Sequence, residues 1–433
     1  MIGLPSRTGR AEGRRPGRGR PKAVEAGSLG NTANSSSHGV RPGIRGDVPV
    51  HDQEAARRDR RGDAYRVRRR LWDLSSLARV RACGRVSHSD AGGPGLRITE
   101  GPDGRRAAGL SGLQTCGSVW ACPVCARKIG ARRAEDLRAV VSACAAEGGG
   151  GALVTLTMRH HAGLRLADCW DALSYAWGRV TSGRAYSRET TTFGMLGWSR
   201  VVEVTHGASG WHVHVHALVL FDSPVSDDLL FELAGAWWDR WEKALARRGL
   251  SGLRDSGGLD ARQIAMNAES ADLVAGYFTK VAYEITGGVI KDGRYGNRSP
   301  FAILRDGLAT GLADDLELWW EWEEVSRGRR QLTWSKGLRE WAGLHVEEKT
   351  DEEVAAEDLG SDDLIMLPVR TWEAVRHEVE DLLAAAEIGG LAGAMAWLLS
   401  RRLSWLDCRS GPLASAACRA LPRTTGQTGG RSV

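Results

Sequence analysis

The stretch Trp211-His212-Val213-His214-Val215-His216-Ala217-Leu218-Val219-Leu220-Phe221 decides how the chain folds. Side chains on a β-strand alternate between two faces with a period of two. His212, His214, His216, Leu218 and Leu220 therefore share one face, and Trp211, Val213, Val215, Ala217, Val219 and Phe221, all apolar, share the other. A strand covered on its back and presenting neutral imidazoles on its front can hold a divalent metal. The histidines run on into Leu218 and Leu220 on the same face, so something covers that face and the imidazoles line a pocket.

Upstream, Trp198 to Thr205 reads as a second strand that turns through Gly207-Ala208-Ser209-Gly210 into the histidine strand. A four-residue loop pairs Thr205 with His212 and sets Glu203 directly opposite His214. Opposed side chains lie on one face within contact range, and a slip of one residue would turn Glu203 away. Glu203 is thus the candidate carboxylate ligand beside His212, His214 and His216. Ala152 to Thr157 forms a short strand with Val154 and Leu156 on one face and Thr155 and Thr157 on the other. Residues 167–180 read as a helix. Downstream, Leu229 to Arg248 is a helix whose stripe of Leu230, Leu233, Trp237, Trp238, Trp241 and Leu245 belongs to a core, not to a base-stacking platform. Asp260 to Ala265 adds an edge strand.

A further helix runs over Ser270 to Glu284 and stops at Gly287-Gly288. Val274, Phe278, Val281 and Ile285 form its core stripe, with Tyr277, Lys280 and Glu284 on the neighbouring one. A phenol and an ammonium one turn apart suit attack on a phosphate.

The 433 residues carry 59 Lys and Arg against 53 Asp and Glu, net +6. Arginine is crowded early, at 14–20, 57–61 and 66–70, in blocks that attract polyanions such as nucleic acid. No apolar run reaches bilayer length, Leu391 to Leu399 being too short, and the basic N-terminus lacks the apolar core of a secretory signal. A cytoplasmic protein with no membrane partner is expected. Its eight cysteines then suggest metal ligands or reduced thiols. Cys116, Cys122 and Cys125, with Cys83 or His88 as the fourth ligand, suit a structural Zn²⁺ site; Cys144, Cys169, Cys408 and Cys418 read as ordinary residues. The helix from Ala126 to Ala146 carries Arg127, Lys128, Arg132 and Arg133, and the segment 327–339 carries Arg329, Arg330 and Lys336 beside Trp334; both are candidate DNA contacts, or solvated and packed surfaces.

These elements divide the chain into a disordered basic tail (1–65), a Cys-rich zinc-binding element with its basic helix (66–147), a core (148–310), a helix and basic Trp-containing segment (311–346), and an acidic linker with a helical C-terminal region and disordered end (347–433). The expected class is α+β: an antiparallel sheet with flanking helices, preceded by the Cys-rich element and followed by mainly helical structure.

The His-Val-His run resembles the metal motif of HUH endonucleases. With Val154-Thr155-Leu156-Thr157 before it, the tyrosine helix after it, and the Cys116–Cys125 and Trp334–Arg339 blocks, the chain is more narrowly similar to the rolling-circle replication initiators of actinomycete plasmids, from about Leu113 to Leu344. The resemblance implies a nick in one strand at a double-strand origin, Mg²⁺ or Mn²⁺ on the histidine pair His214 and His216 with His212 as an extra upstream histidine, Tyr277 as nucleophile and Lys280 as its companion. It also implies origin DNA, a host helicase and a host polymerase as partners in a bacterial cytoplasm. Relatives that terminate by hydrolysis carry a carboxylate one turn before the tyrosine, where this chain has Leu273; Asp272, Glu269 and Glu284 are the alternatives nearby. A relaxase or transposase using the same chemistry, and a non-catalytic zinc-dependent DNA-binding regulator, are the rival readings.

Overall fold

A computed structural model describes residues 50–88, 93–102, 104–252, 257–267, 269, 271–272, 274–275, 296–344, 348–357, 362–408 and 419–420. In chain order the elements are α1 (Val50–Leu74), α2 (Ala78–Ala82), β1 (Gly95–Glu100), β2 (Arg106–Leu110), α3 (Pro123–Ala146), β3 (Gly150–Thr157), α4 (Leu166–Val180), α5 (Gly183–Thr192), β4 (Met195–Gly207), β5 (Gly210–Phe221), α6 (Asp227–Ala246) and β6 (Leu259–Ile264). There follow α7 (Pro300–Thr310), α8 (Ala313–Ser326), β7 (Leu332–Trp334), α9 (Leu338–Trp341), α10 (Asp351–Ala356), β8 (Ile365–Met366), α11 (Val369–Val375), α12 (Val379–Ser400), β9 (Leu406–Asp407) and β10 (Arg419–Ala420). The architecture is mixed α+β with antiparallel sheets, as expected.

The larger sheet runs β6-β3-β5-β4-β7 and has the histidine strand at its centre. A central strand is covered on both faces, which is why β5 is apolar or neutral throughout. On the back, Val213, Val215, Ala217, Val219 and Phe221 join one buried cluster with Trp170 and Trp177 of α4 and Trp237, Trp238 and Trp241 of α6. The tryptophan stripe of α6 is therefore core. On the front, Leu218 and Leu220 pack with Leu137, Val140, Val141 and Cys144 of α3 and with Ala271, Val274 and Ala275. These last three residues lie at the start of the expected tyrosine helix and supply part of the predicted cover.

The hairpin register is the predicted one: Thr205 pairs with His212 and Glu203 with His214. The loop is shorter than expected, because pairing continues to Gly207↔Gly210 and leaves only Ala208 and Ser209 to turn. Gly210 closes that turn at φ +84, where a β-carbon would meet the Cα of Ala162 at 2.9 Å.

Three expectations about domain organisation need correction. The tail does not extend to residue 65, since α1 is helical from Val50. Its arginines are docked on α12: Arg61 pairs with Glu387, and Arg69 with both carboxylate oxygens of Glu380. Nor is the described part of the acidic stretch, 348–357, a free linker, because Thr350 and Glu353 form a capping box and α10 packs against α3. The C-terminal region is likewise not separate from the Cys-rich element: the second sheet, ordered β10-β9-β8-β1-β2, joins Gly95 to Met366 and Leu96 to Ile365. Its core includes Leu96, Ile365, Trp372, Leu382, Leu383, Ala386 and Leu398. Two-residue strands such as β8 and β9 carry no periodicity for a sequence reading to catch.

By length and composition α12 could cross a membrane, against the expectation that no run would be long enough. Its backbone breaks at Gly390 (φ 62, ψ −153), and one side of it is the core of the second sheet.

Candidate metal centres

Glu203, His214 and His216 are all buried, and their ligand atoms lie within 4.8 Å of one another. Oε2 of Glu203 accepts from Nε2 of His214 at 2.9 Å and from Nε2 of His216 at 2.8 Å. The other ring nitrogen of His216, Nδ1, sits 3.0 Å from the hydroxyl of Thr155, which pairs with it across β3 and β5. Two imidazoles and one carboxylate, with one imidazole oriented through its far nitrogen, form a donor set that suits a divalent cation. Burial works against the charge of Glu203, but His214 and His216 beside it hold its carboxyl well below the usual range. Burial, then His214, lower the basicity of His216.

His212 lies outside this triad, although it shares the face. Its ring stacks on His160 (centroids 4.9 Å, interplanar angle 17°) and tilts against His214 at 4.7 Å. Burial, then its histidine neighbours, pull it down to about 3. His160 extends the row of imidazoles to four and escaped the sequence reading, because it follows the end of β3 where strand parity no longer applies. The His160-His161 doublet just after the Val-Thr-Leu-Thr run was the available signal. Tyr277, Lys280 and Glu284 lie outside the described residues. Asp272, largely exposed, accepts from Arg138 Nε at 2.8 Å, and Glu269 is exposed.

The second centre joins Cys83, Cys116, Cys122 and Cys125, all buried. Cys122 is the residue before α3 and Pro123 opens the helix, so Cys122 and Cys125 fall one turn apart on one side. Sγ of Cys83 is 3.7 Å from that of Cys122 and 3.6 Å from that of Cys125, and Cys116 is 3.6 Å from Cys125. Four sulfurs placed about 2.3 Å from a tetrahedral zinc are separated by about 3.8 Å, so the donor set fits Zn²⁺. Between the two candidates for the fourth position, Cys83 joins the cluster and His88 is exposed away from it. Cys144 and Cys169 are isolated buried thiols, each pushed up to about 11, first of all by burial.

The expected DNA contacts divide by environment. Arg133 is nearly buried and reaches Glu348 at 3.0 Å and Asp351 at 3.1 Å, while Lys128 donates to the carbonyl of Ala355. Arg329 pairs with Asp171 at 2.7 Å and lies over Trp170, and Arg127 is half-buried. Arg132, although paired with Glu135, is exposed, as are Arg330 and Lys336.

Fold and site together define a class: an antiparallel-sheet protein with a buried histidine–carboxylate cluster on its two paired inner strands and a separate buried four-cysteine cluster. Residues 109–378 match the family model described as replication protein. The chain is 31% identical over 358 residues to the Protein rep of Streptomyces lividans, covering 66% of this chain and 78% of that one. It is also 32% identical over 183 residues to a neomycin resistance protein of Streptomyces cyanogenus, covering 32% of this chain and 41% of that protein. No solved structure matches. The chain belongs to the Rep family of replication proteins, with the role of a replication initiator.

Proposed function

We propose that this protein starts rolling-circle replication of a plasmid by nicking one DNA strand at the double-strand origin, on an HUH endonuclease-like core. The observation that carries this reading is the buried Glu203–His214–His216 cluster on the sheet face against which Ala271, Val274 and Ala275 pack, the last of them two residues before Tyr277. A divalent ion, Mg²⁺ or Mn²⁺, held by His214, His216 and Glu203 would polarise the scissile phosphate. Every other role falls to the chain itself. The phenolic oxygen of Tyr277 bonds to phosphorus and the P–O3′ bond breaks. The phenol's proton departs and the leaving 3′ oxygen gains one, leaving a 5′-phosphotyrosyl enzyme and a free 3′-OH. Lys280, three residues on in sequence, offsets charge on a phosphate oxygen. His212, stacked between His160 and His214, walls the pocket.

The 3′-OH primes a host polymerase, with a host helicase opening the duplex in the bacterial cytoplasm. Zn²⁺ on Cys83, Cys116, Cys122 and Cys125 is structural. Arg127, Lys128, Arg132, Arg133, Arg329, Arg330 and Lys336 are the basic groups assigned to DNA. Arg330 and Lys336, exposed and with no ion pair among the described residues, are available to phosphate without rearrangement, whereas Arg132, also exposed, would first leave Glu135.

The test is a nicking assay on supercoiled plasmid carrying the parent origin. Relaxed product with protein on the 5′ end is expected, abolished by chelator and restored by Mn²⁺ or Mg²⁺; full activity in excess chelator would refute the metal assignment. A finer outcome follows from Thr155. Replacing it with Val removes the hydroxyl that orients His216, and loss of such a partner weakens metal binding by about 10- to 100-fold. Mn²⁺ titration of Thr155→Val against the unsubstituted protein, by calorimetry, measures this.

A further inference from the structure

Arg68 on α1 is only 5% exposed, and its Nε and Nη2 atoms have no hydrogen-bond partner. No carboxylate among the described residues pairs with it. Burying a guanidinium in this way is costly unless negative charge lies nearby. Its guanidinium is seated 4.4 Å over the ring of Tyr65 and against the backbone of Gly84, the residue after Cys83. Gly84, at φ +60, leaves room there: a β-carbon would run into Arg68 Nη1 and Cζ. Val67 and Leu71, on the same helix, belong to the buried cluster that includes all four cysteine ligands.

The charge count explains the placement. Four thiolates around one Zn²⁺ carry a net charge of about −2 in a buried setting. We propose that Arg68 is the counter-cation of the four-cysteine centre, a positioning residue whose buried charge offsets that of the zinc-bound cluster and so raises zinc affinity. Burial opposes the charge of Arg68, while Tyr65, Cys83, Cys122 and Cys125 favour it, and the balance keeps the guanidinium charged. Arg79, the other arginine at the centre, donates to the carbonyl of Cys116, is largely exposed and already pairs with Glu352. It therefore leaves the buried charge to Arg68.

The inference rests on reading the four cysteines as a zinc centre, and the experiment separates the two. Full-length protein, unsubstituted and as Arg68→Lys, Arg68→Met and Arg68→Gln, is assayed for zinc content and for zinc affinity against a chromophoric chelator. The neutral variants are expected to bind zinc about 10- to 100-fold more weakly, the range for lost outer-shell partners, and the Lys variant to stay within about threefold. Unchanged affinity in Met and Gln, or a tenfold loss in Lys, overturns the proposal. If both neutral variants fail to fold while Lys folds and holds zinc, charge is again the requirement. Failure of all three makes Arg68 a packing residue and also overturns it. Unsubstituted protein that takes up no zinc sinks the underlying reading instead.

Discussion

Replacing Tyr277 with Phe is expected to lower nicking by about 10⁴-fold or more while leaving DNA affinity within about twofold. Removal of the attacking atom from enzymes with covalent intermediates costs on this scale, because nothing else in the site supplies the missing bond. A phenol has a pKa near 10, so only about one in a thousand is ionised at pH 7 before its surroundings act on it. The substitution removes one oxygen, keeps the aromatic ring, and leaves every basic residue assigned to phosphate contacts in the sequence. The decisive measurement uses a 3′-labelled origin strand in a denaturing gel, because the protein joins the 5′ end of the downstream fragment. Unsubstituted protein should carry the label as a covalent adduct, and Tyr277→Phe should not, at matched binding in a gel-shift assay. An adduct formed by the Phe variant would transfer the role to another tyrosine, Tyr283 being nearest in sequence.

The site was more legible in the sequence than the domain arrangement, for a physical reason. Glu203 could be placed opposite His214 from the sequence alone because a hairpin register is local, fixed by the turn between two strands. The loop-length error did not matter, since a symmetric two-residue shortening preserves every pair. The Cys122–Cys125 spacing is also local, one helical turn. The second sheet is not: it brings Leu96 to Ile365, and α1 to α12, through contacts that no periodicity records. Arg57 to Arg61 looked like tail because so little apolar surface accompanies them. Arg57 and Arg61 face the buried Glu387, more than 300 residues later. The acidic stretch 348–357 misled for the same reason: as an isolated run it is a linker, and beside Arg79 and Arg133 it is a partner.

Cys122→Ser should abolish zinc retention and cost at least about 4 kcal/mol of stability at free zinc a thousandfold above the dissociation constant, the linkage expected when a ligand binds only the folded state. Zinc-finger peptides gain still more from their metal, because the site scarcely exists before folding. Here the cysteines come from three places, the end of α2, the stretch before α3 and the first turn of α3, so the ion would add to the apolar packing and the Arg79–Cys116 hydrogen bond that already join them. The consequence should reach the histidines. The same α3 that starts just after Cys122 carries, towards its end, Leu137, Val140, Val141 and Cys144 packed on Leu218 and Leu220, continuing the face of His214 and His216. Loosening its first turn should therefore reduce nicking even with every residue of the Glu203–His214–His216 cluster intact. Cys144→Ser is the control, a buried thiol on the same helix but outside the cluster. It should keep its zinc and lose about 1–3 kcal/mol, the cost of burying a poorly satisfied hydroxyl. Metal analysis and thermal melts with and without chelator measure both variants. Equal zinc content and equal melting for Cys122→Ser and the unsubstituted protein would leave the four thiols as packing, and α3 as held by its apolar face and by ion pairs such as Arg133–Asp351.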